Sequence, residues 1–148
     1  MLRSLYTLIL CSVILFSCQN NNDDDNGSNF IPDITFDTAN TINTTLPQYN
    51  DLEFPGGTVV LNGYGYNGIV VYYTGNQYYA FEITDPNHAP TNCSVLTIEG
   101  GIATCGCDDA NSYSIAGGGV PFDGTDVQFS LKPYFVEANG NVIRVYNN

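Results

Sequence analysis

The run GIVVYYTGNQYYAFEIT, Gly68 to Thr84, constrains the fold more than any other stretch. Its β-branched and aromatic side chains follow one another with no 3.6-residue apolar period. A helix would have no face to bury, whereas a pleated strand accepts Val and Tyr on either side. Gly75 and Asn76 interrupt the run as a two-residue hairpin turn does. The same pattern recurs. GTVVLNG (Gly57 to Gly63) precedes it, SVLTIE (Ser94 to Glu99) and IATC (Ile102 to Cys105) flank Gly100 and Gly101, and VQFSLKPYFVEA (Val127 to Ala138) meets VIRVYN (Val142 to Asn147) across NGN. Pro133 has no N–H for a ladder, so its part of the strand belongs at an edge or bulge. These spacings predict an all-β fold, a small sandwich or open barrel of antiparallel hairpins, with no substantial helix in the mature domain.

The front of the chain obeys other rules. MLRSLYTLILCSVILFSC has one early positive charge, Arg3, then an apolar run from Leu8 to Phe16, and reaches small Ser17 just before Cys18. That is the order of a secretory leader, too short and wrongly flanked for a lasting membrane span. Leu15, Phe16, Ser17 and Cys18 resemble the bacterial lipobox, which implies cleavage before Cys18 and a lipid on its thiol. The expected location is outside the cytoplasm, on a bacterial membrane, with the outer membrane and cell surface as the finer expectation. Gln19 to Asn29 contains no apolar residue and cannot offset its ordering entropy. Its acidic patch resembles the surface-export signal of Bacteroidota lipoproteins. The expected organisation is a leader over 1–17, a lipid-anchored flexible acidic tether over 18–40 and a β domain over 41–148. Asp37–Thr38–Ala39 also matches a short O-glycosylation motif, placing Thr38 in the expected exposed tether.

Charge excludes one class of partner. Asp and Glu number 15, and beyond the leader the basic residues are Lys132 and Arg144 alone. Nucleic-acid binding needs phosphate neutralisation, so it is excluded. An anionic membrane surface is equally unfavourable, which leaves the lipid on Cys18 as the membrane attachment. The 11 tyrosines suggest a surface glycan-binding module as one alternative, although Tyr also suits a half-buried pleat with its hydroxyl in water. Which protein or glycan partner the domain meets is not written in the sequence.

The chemistry-bearing residues cluster in DPNHAPTNC and CGCDD. Once Cys18 is acylated, Cys93, Cys105 and Cys107 remain, and an oxidising compartment favours pairing. A Cys105–Cys107 ring is strained, so Cys93 pairs with one of the two. With His88 these cysteines add up to Cys3His, numerically a zinc set, but C-x-C is tighter than the usual C-x2-C and secreted thiols meet oxidant first. No metal is expected on those grounds. No catalytic residue is expected either. Asp108 and Asp109 are adjacent and point to opposite faces of a strand, and a single histidine in a proline-rich turn supports no nucleophile–base–acid set.

LPQYNDLEFPGGTVVLNGYGYNGIVVYYTGNQYYAFEITDPNHAPTNCSVL, followed by CGCDD and then FSLKPYFVEANGNVIRV, resembles the Rieske [2Fe-2S] domain family, in a degenerate branch found as Bacteroidota lipoproteins. The resemblance covers about residues 44 to 147 and rests on the FPGG and NGYG turns, GIVVY, the two cysteine loops and the Leu131–Tyr134 step. Rieske domains hold their cluster with C-x-H from one loop and C-x-x-H from the next. This chain has one histidine, His88, so a Cys2His2 set cannot be completed within it. Matched through Cys93, the first-loop ligand positions fall on His88 and Pro90; matched through His88, the cysteine position falls on Pro86. In the second loop Cys105 matches a ligand and Asp108 replaces the imidazole. The resemblance selects a Cys93–Cys107 disulfide, because the family's inter-loop bridge uses the second cysteine of C-x-C, and it leaves Cys105 a thiol. Pro86, His88, Cys105 and Asp108 are then degenerate cluster positions and no cofactor is expected. The expected function is a non-catalytic binding or structural module. A [2Fe-2S] electron-transfer protein with unusual ligation is the alternative.

Overall fold

Alternation of side chains along a strand becomes a three-layer arrangement here. The computed structural model describes residues 30–122 and 127–148. The expected leader, Cys18 and the acidic stretch to residue 29 lie outside the described residues. The strands are β1 (Phe36–Asp37), β2 (Ile42–Asn43), β3 (Thr58–Leu61), β4 (Ile69–Tyr73), β5 (Tyr78–Glu82), β6 (Leu96–Glu99), β7 (Ile102–Cys105), β8 (Ser112–Ser114), β9 (Val120–Pro121), β10 (Phe135–Asn139) and β11 (Val142–Asn147). One 3-10 turn, Asn50–Glu53, is the helical element among the described residues, and no helix there is long and apolar enough to cross a membrane.

All strand pairings are antiparallel, in three sheets: β3-β4-β5, β6-β7-β8-β9, and β11 flanked by β10 on one side and by β1 and β2 on the other. The all-β expectation holds. The first sheet is central. Val70 and Tyr72 of β4 join Phe81, Leu96, Ala103, Tyr113 and Leu131 in one core, while Ile69 and Val71 join Ile42, Leu52, Ala80, Ile143 and Val145 in the other. The unbroken apolar run in β4 is thus a strand buried on both faces, which is why polar alternation is missing there. Tyr72, Tyr113 and Tyr134 lie in these cores, and Tyr73 and Tyr78 stack on each other at 4.5 Å. Much of the tyrosine content therefore serves packing.

The turns fall where the sequence places them. Thr74 N donates to Gln77 O at 2.9 Å around Gly75 and Asn76, with Gly75 at φ 103°. Two boundaries and the exposure of Thr38 differ. The folded part begins well before residue 41: Ile31 is buried, β1 pairs with β11, and Lys132 Nζ, itself buried, reaches Asp33 Oδ1 at 2.9 Å and the Pro32 carbonyl at 3.2 Å. Residues 30–40 are tied to the last strand rather than forming tether. Thr38 is accordingly buried, with its Oγ1 accepting the Val145 N–H at 2.8 Å, so its hydroxyl is closed to modification in the folded domain. Finally, Val127–Lys132 is not strand. The Asn87 side chain takes the place of a ladder, accepting from Gln128 N and Phe129 N and donating to Phe129 O. Around Pro133 the chain still touches β5, through Glu82 N to Lys132 O and Tyr134 N to Ala80 O.

Glu82 closes the opposite end of β5. Fully buried, it accepts from Tyr66 N, Asn67 N, Thr84 Oγ1 and the Tyr134 hydroxyl. A Cβ at Gly65, which has φ +66°, would lie 2.4 Å from Glu82 Oε2, so this NGYGYN turn requires glycine there on both counts.

Candidate functional site

Because β6 and β7 are antiparallel, the loop entering β6 and the loop leaving β7 emerge side by side. The first, residues 85–94, is closed at its base by Asp85 N to Ser94 O at 2.8 Å, and the second, residues 106–111, by Cys105 N to Asn111 O at 2.8 Å. Gly106 N donates to the Cys93 carbonyl at 2.9 Å, and a Cβ at Gly106 would sit only 3.1 Å from that oxygen. The glycine between the two cysteines is what lets the loops approach. A Cys93–Cys107 disulfide joins them covalently, with a Cα–Cα distance of 4.8 Å, and Cys105 is a free, buried thiol.

His88 is held between the loops. Its Nε2 lies 2.8 Å from Asp109 Oδ2, and its Nδ1 lies 3.5 Å from Cys105 Sγ and 3.7 Å from Asp85 Oδ2. With the ring proton on Nε2, donated to Asp109, the lone pair of Nδ1 faces the sulfur. The side chains of His88, Cys105 and Cys107 bring their donor atoms within 4.8 Å of one another. An open cleft of about 460 Å³ lies alongside, lined by His88, Ala89, Thr91, Cys107, Asp108 and Asp109.

Beneath the histidine is a buried polar network. Asp85, fully buried, accepts from the Tyr113 hydroxyl, from Asn87 N at 2.9 Å and from Asn111 Nδ2 at 3.1 Å. Burial alone would raise its pKa, but these hydrogen bonds outweigh it and hold the carboxyl below its ordinary value. Burial, and then the Asp85 contact, pushes the Tyr113 hydroxyl up, so it stays a donor. Burial is also the main reason that the Cys105 thiol is pushed up to about 12. The Cys107 N–H at 3.4 Å opposes this, while the contact with Asp85 and the charges of Asp85 and Asp109 reinforce it. A buried thiol of this kind is no nucleophile at neutral pH.

Of the residues singled out in the sequence, His88 and Cys105 come together, and Cys107 joins them as half of the disulfide. Asp108 is exposed on the rim of the cleft, and Pro86 is buried and offers no ligand atom. Asp85, Asn87 and Asn111 escaped the sequence analysis. Asp85 and Asn87 form an Asx turn whose local signal is the DPN tripeptide.

These residues do not fit a [2Fe-2S] cluster of the Rieske kind. Such a cluster needs two thiolates and two imidazoles, whereas here one imidazole faces one protonated thiol, Cys107 is bonded to Cys93, and His88 is the single histidine of the sequence.

No protein-family model matches the chain, and no curated protein does. Solved structures are similar to it, two of them as follows. One is the complex of reduced oxygenase and oxidized ferredoxin in carbazole 1,9a-dioxygenase, at 24% identity and TM-score 0.44, covering 62% of this chain and 82% of that one. The other is the ferredoxin of carbazole 1,9a-dioxygenase from Nocardioides aromaticivorans IC177, at 18% identity and TM-score 0.44, covering 64% and 88%. Similarity of this degree concerns the path of the chain and does not extend to a cofactor or a partner.

Proposed function

We propose that the protein is a lipid-anchored envelope or cell-surface domain whose two loops serve a binding or structural role, without catalysis and without an iron–sulfur cluster. The observation that carries this reading is the state of the three loop cysteines. Cys93 and Cys107 are spent on each other, and Cys105 is a buried thiol beside one histidine. What remains is a rigid, acidic pair of loops around an open cleft.

The full chain, produced with iron and sulfide available and purified in detergent, is expected to be colourless and to hold no stoichiometric iron. A single imidazole cannot complete the ligands of the outer iron, and Asp108 offers hard oxygen where the family uses nitrogen. A reddish preparation with about two irons per chain overturns the proposal and makes electron transfer the function. The anchor is tested separately. Cys18→Ser is expected to release the protein from the membrane fraction, and retention there at the wild-type level would place the anchor elsewhere.

A further inference from the structure

We infer that the same two loops form a thiol-gated site for one thiophilic divalent cation such as Zn²⁺, closed while Cys93 and Cys107 are bonded and open once that bond is reduced. The site would use His88 Nδ1 and the sulfurs of Cys93, Cys105 and Cys107, so it goes beyond the proposed role of the oxidised domain.

Three observations point to it. Tetrahedral zinc with bonds near 2.3 Å to sulfur and 2.05 Å to nitrogen holds a sulfur and a nitrogen about 3.6 Å apart. Cys105 Sγ and His88 Nδ1 stand 3.5 Å apart. Second, the outer nitrogen of His88 is already on the Asp109 carboxylate at 2.8 Å, the orientation that fixes the tautomer of metal-binding histidines and turns the other lone pair toward the ion. Third, Cys107 Sγ lies in the same cluster within 4.8 Å, and Cys93 Sγ is covalently attached to it. Breaking that bond frees the third sulfur inside the cluster and leaves that of Cys93 beside it to turn in as the fourth. The cleft beside His88 supplies an entry path, and Asp108 and Asp109 on its rim favour a cation.

The chemistry balances with a dithiol reductant. It gives two electrons and two protons to the Cys93–Cys107 bond and itself becomes a disulfide. Cys93 is exposed, so the bond is within reach. The cation then displaces the thiol protons of Cys93, Cys105 and Cys107 into solvent, and the His88 tautomer with its proton on Nε2 binds through Nδ1 without giving up a proton. Asp109 acts as a positioning residue. Oxidant met on secretion leaves the site in its closed state.

The test uses the full chain in detergent, with Co²⁺ as a coloured substitute for Zn²⁺. The anaerobically reduced chain is expected to bind one Co²⁺ with thiolate-to-metal charge-transfer absorption and the visible bands of tetrahedral cobalt, both removed by Zn²⁺. The oxidised chain is expected to show neither. Asp109→Asn should weaken binding by about tenfold, and His88→Ala by more. Cys93→Ser, which keeps three ligands and cannot form the gate, should bind without any reductant. Absence of tetrahedral cobalt in the reduced chain overturns the inference. So does equal binding by the oxidised chain, unchanged affinity in His88→Ala, or equally tight binding by the reduced chain unfolded in guanidinium, which would mean loose thiols rather than a built site.

Discussion

Cys93→Ser is expected to lower the melting temperature by on the order of 10 °C or more relative to the oxidised chain, through a stability loss of about 3 kcal/mol. The bridge spans a sequence separation of 14 and closes a loop that contains the β6–β7 hairpin. In the chain-entropy account its effect lies mostly in the unfolded ensemble, which loses freedom that the native loops never had. Cys105→Ser makes the contrast. Its hydroxyl inherits the Cys107 N–H and His88 contacts, so its cost stays near 1 kcal/mol. Thermal unfolding followed by circular dichroism measures both, and peptide mapping without reduction confirms the pairing. A Cys93→Ser variant that melts within a degree or two of the wild type contradicts the assignment of this bridge as the main clasp.

Asp85→Ala is expected to cost at least as much, about 3 kcal/mol or more. It strips the acceptor from the Tyr113 hydroxyl, Asn111 Nδ2 and Asn87 N in a buried site, and each group left unpaired costs about 1 to 3 kcal/mol. Hydrogen exchange at Asn87 and Ser94 should quicken before the strands of the central sheet are affected. The same carboxylate makes stability depend on pH. Its folded pKa lies below its unfolded value, so the stabilisation is fully present above the unfolded carboxylate value of about 3.9 and is lost as pH falls through the folded pKa. Asp85→Asn, which cannot ionise, should flatten that acid limb of the melting curve. An unaltered acid limb would show that other carboxylates carry it.

The strands of the central sheet and the β6–β7 and β10–β11 hairpins are legible in the sequence because local chemistry alone specifies them. Gly75, the Gly100–Gly101 pair and Gly140 sit at positive φ where two-residue turns need it, and Val, Ile and Tyr fill what lies between. β1 and β2 are not legible. They are two residues long, they sit in polar sequence, and their order comes from β11, more than a hundred positions further along for β1. Val127–Lys132 misleads in the opposite direction, since its composition suits a strand but the Gln128 and Phe129 N–H groups are taken by the Asn87 side chain. At the site, the cysteine pairing required the family resemblance, because spacing left Cys93 free to choose either partner. Asp85 and Glu82 look like ordinary polar residues of a turn and a strand end. Only long-range packing makes them buried carboxylates, through Tyr113, Asn111, Tyr134 and the Tyr66–Asn67 backbone.

The pairing of β1 with β11 also decides how the domain meets mechanical load. Phe36 lies opposite Asn147, so the segment that enters the fold and the last strand end side by side. Tension arriving through the residues before Phe30 meets the Lys132 contacts to Pro32 and Asp33 first, and then this short edge ribbon: the Asp37–Arg144 pair at 2.7 Å and the two Thr38–Val145 hydrogen bonds. Such a ribbon can peel while both cores stay intact. Should the pull go on until the whole domain gives way, the Cys93–Cys107 bond withholds the stretch across its sequence separation of 14, shortening the drawn-out chain by about 40 to 45 Å at 3.3 to 3.6 Å per residue, once its own Cα–Cα distance of 4.8 Å is taken off. The oxidation state of two cysteines thereby sets how far the protein can stretch.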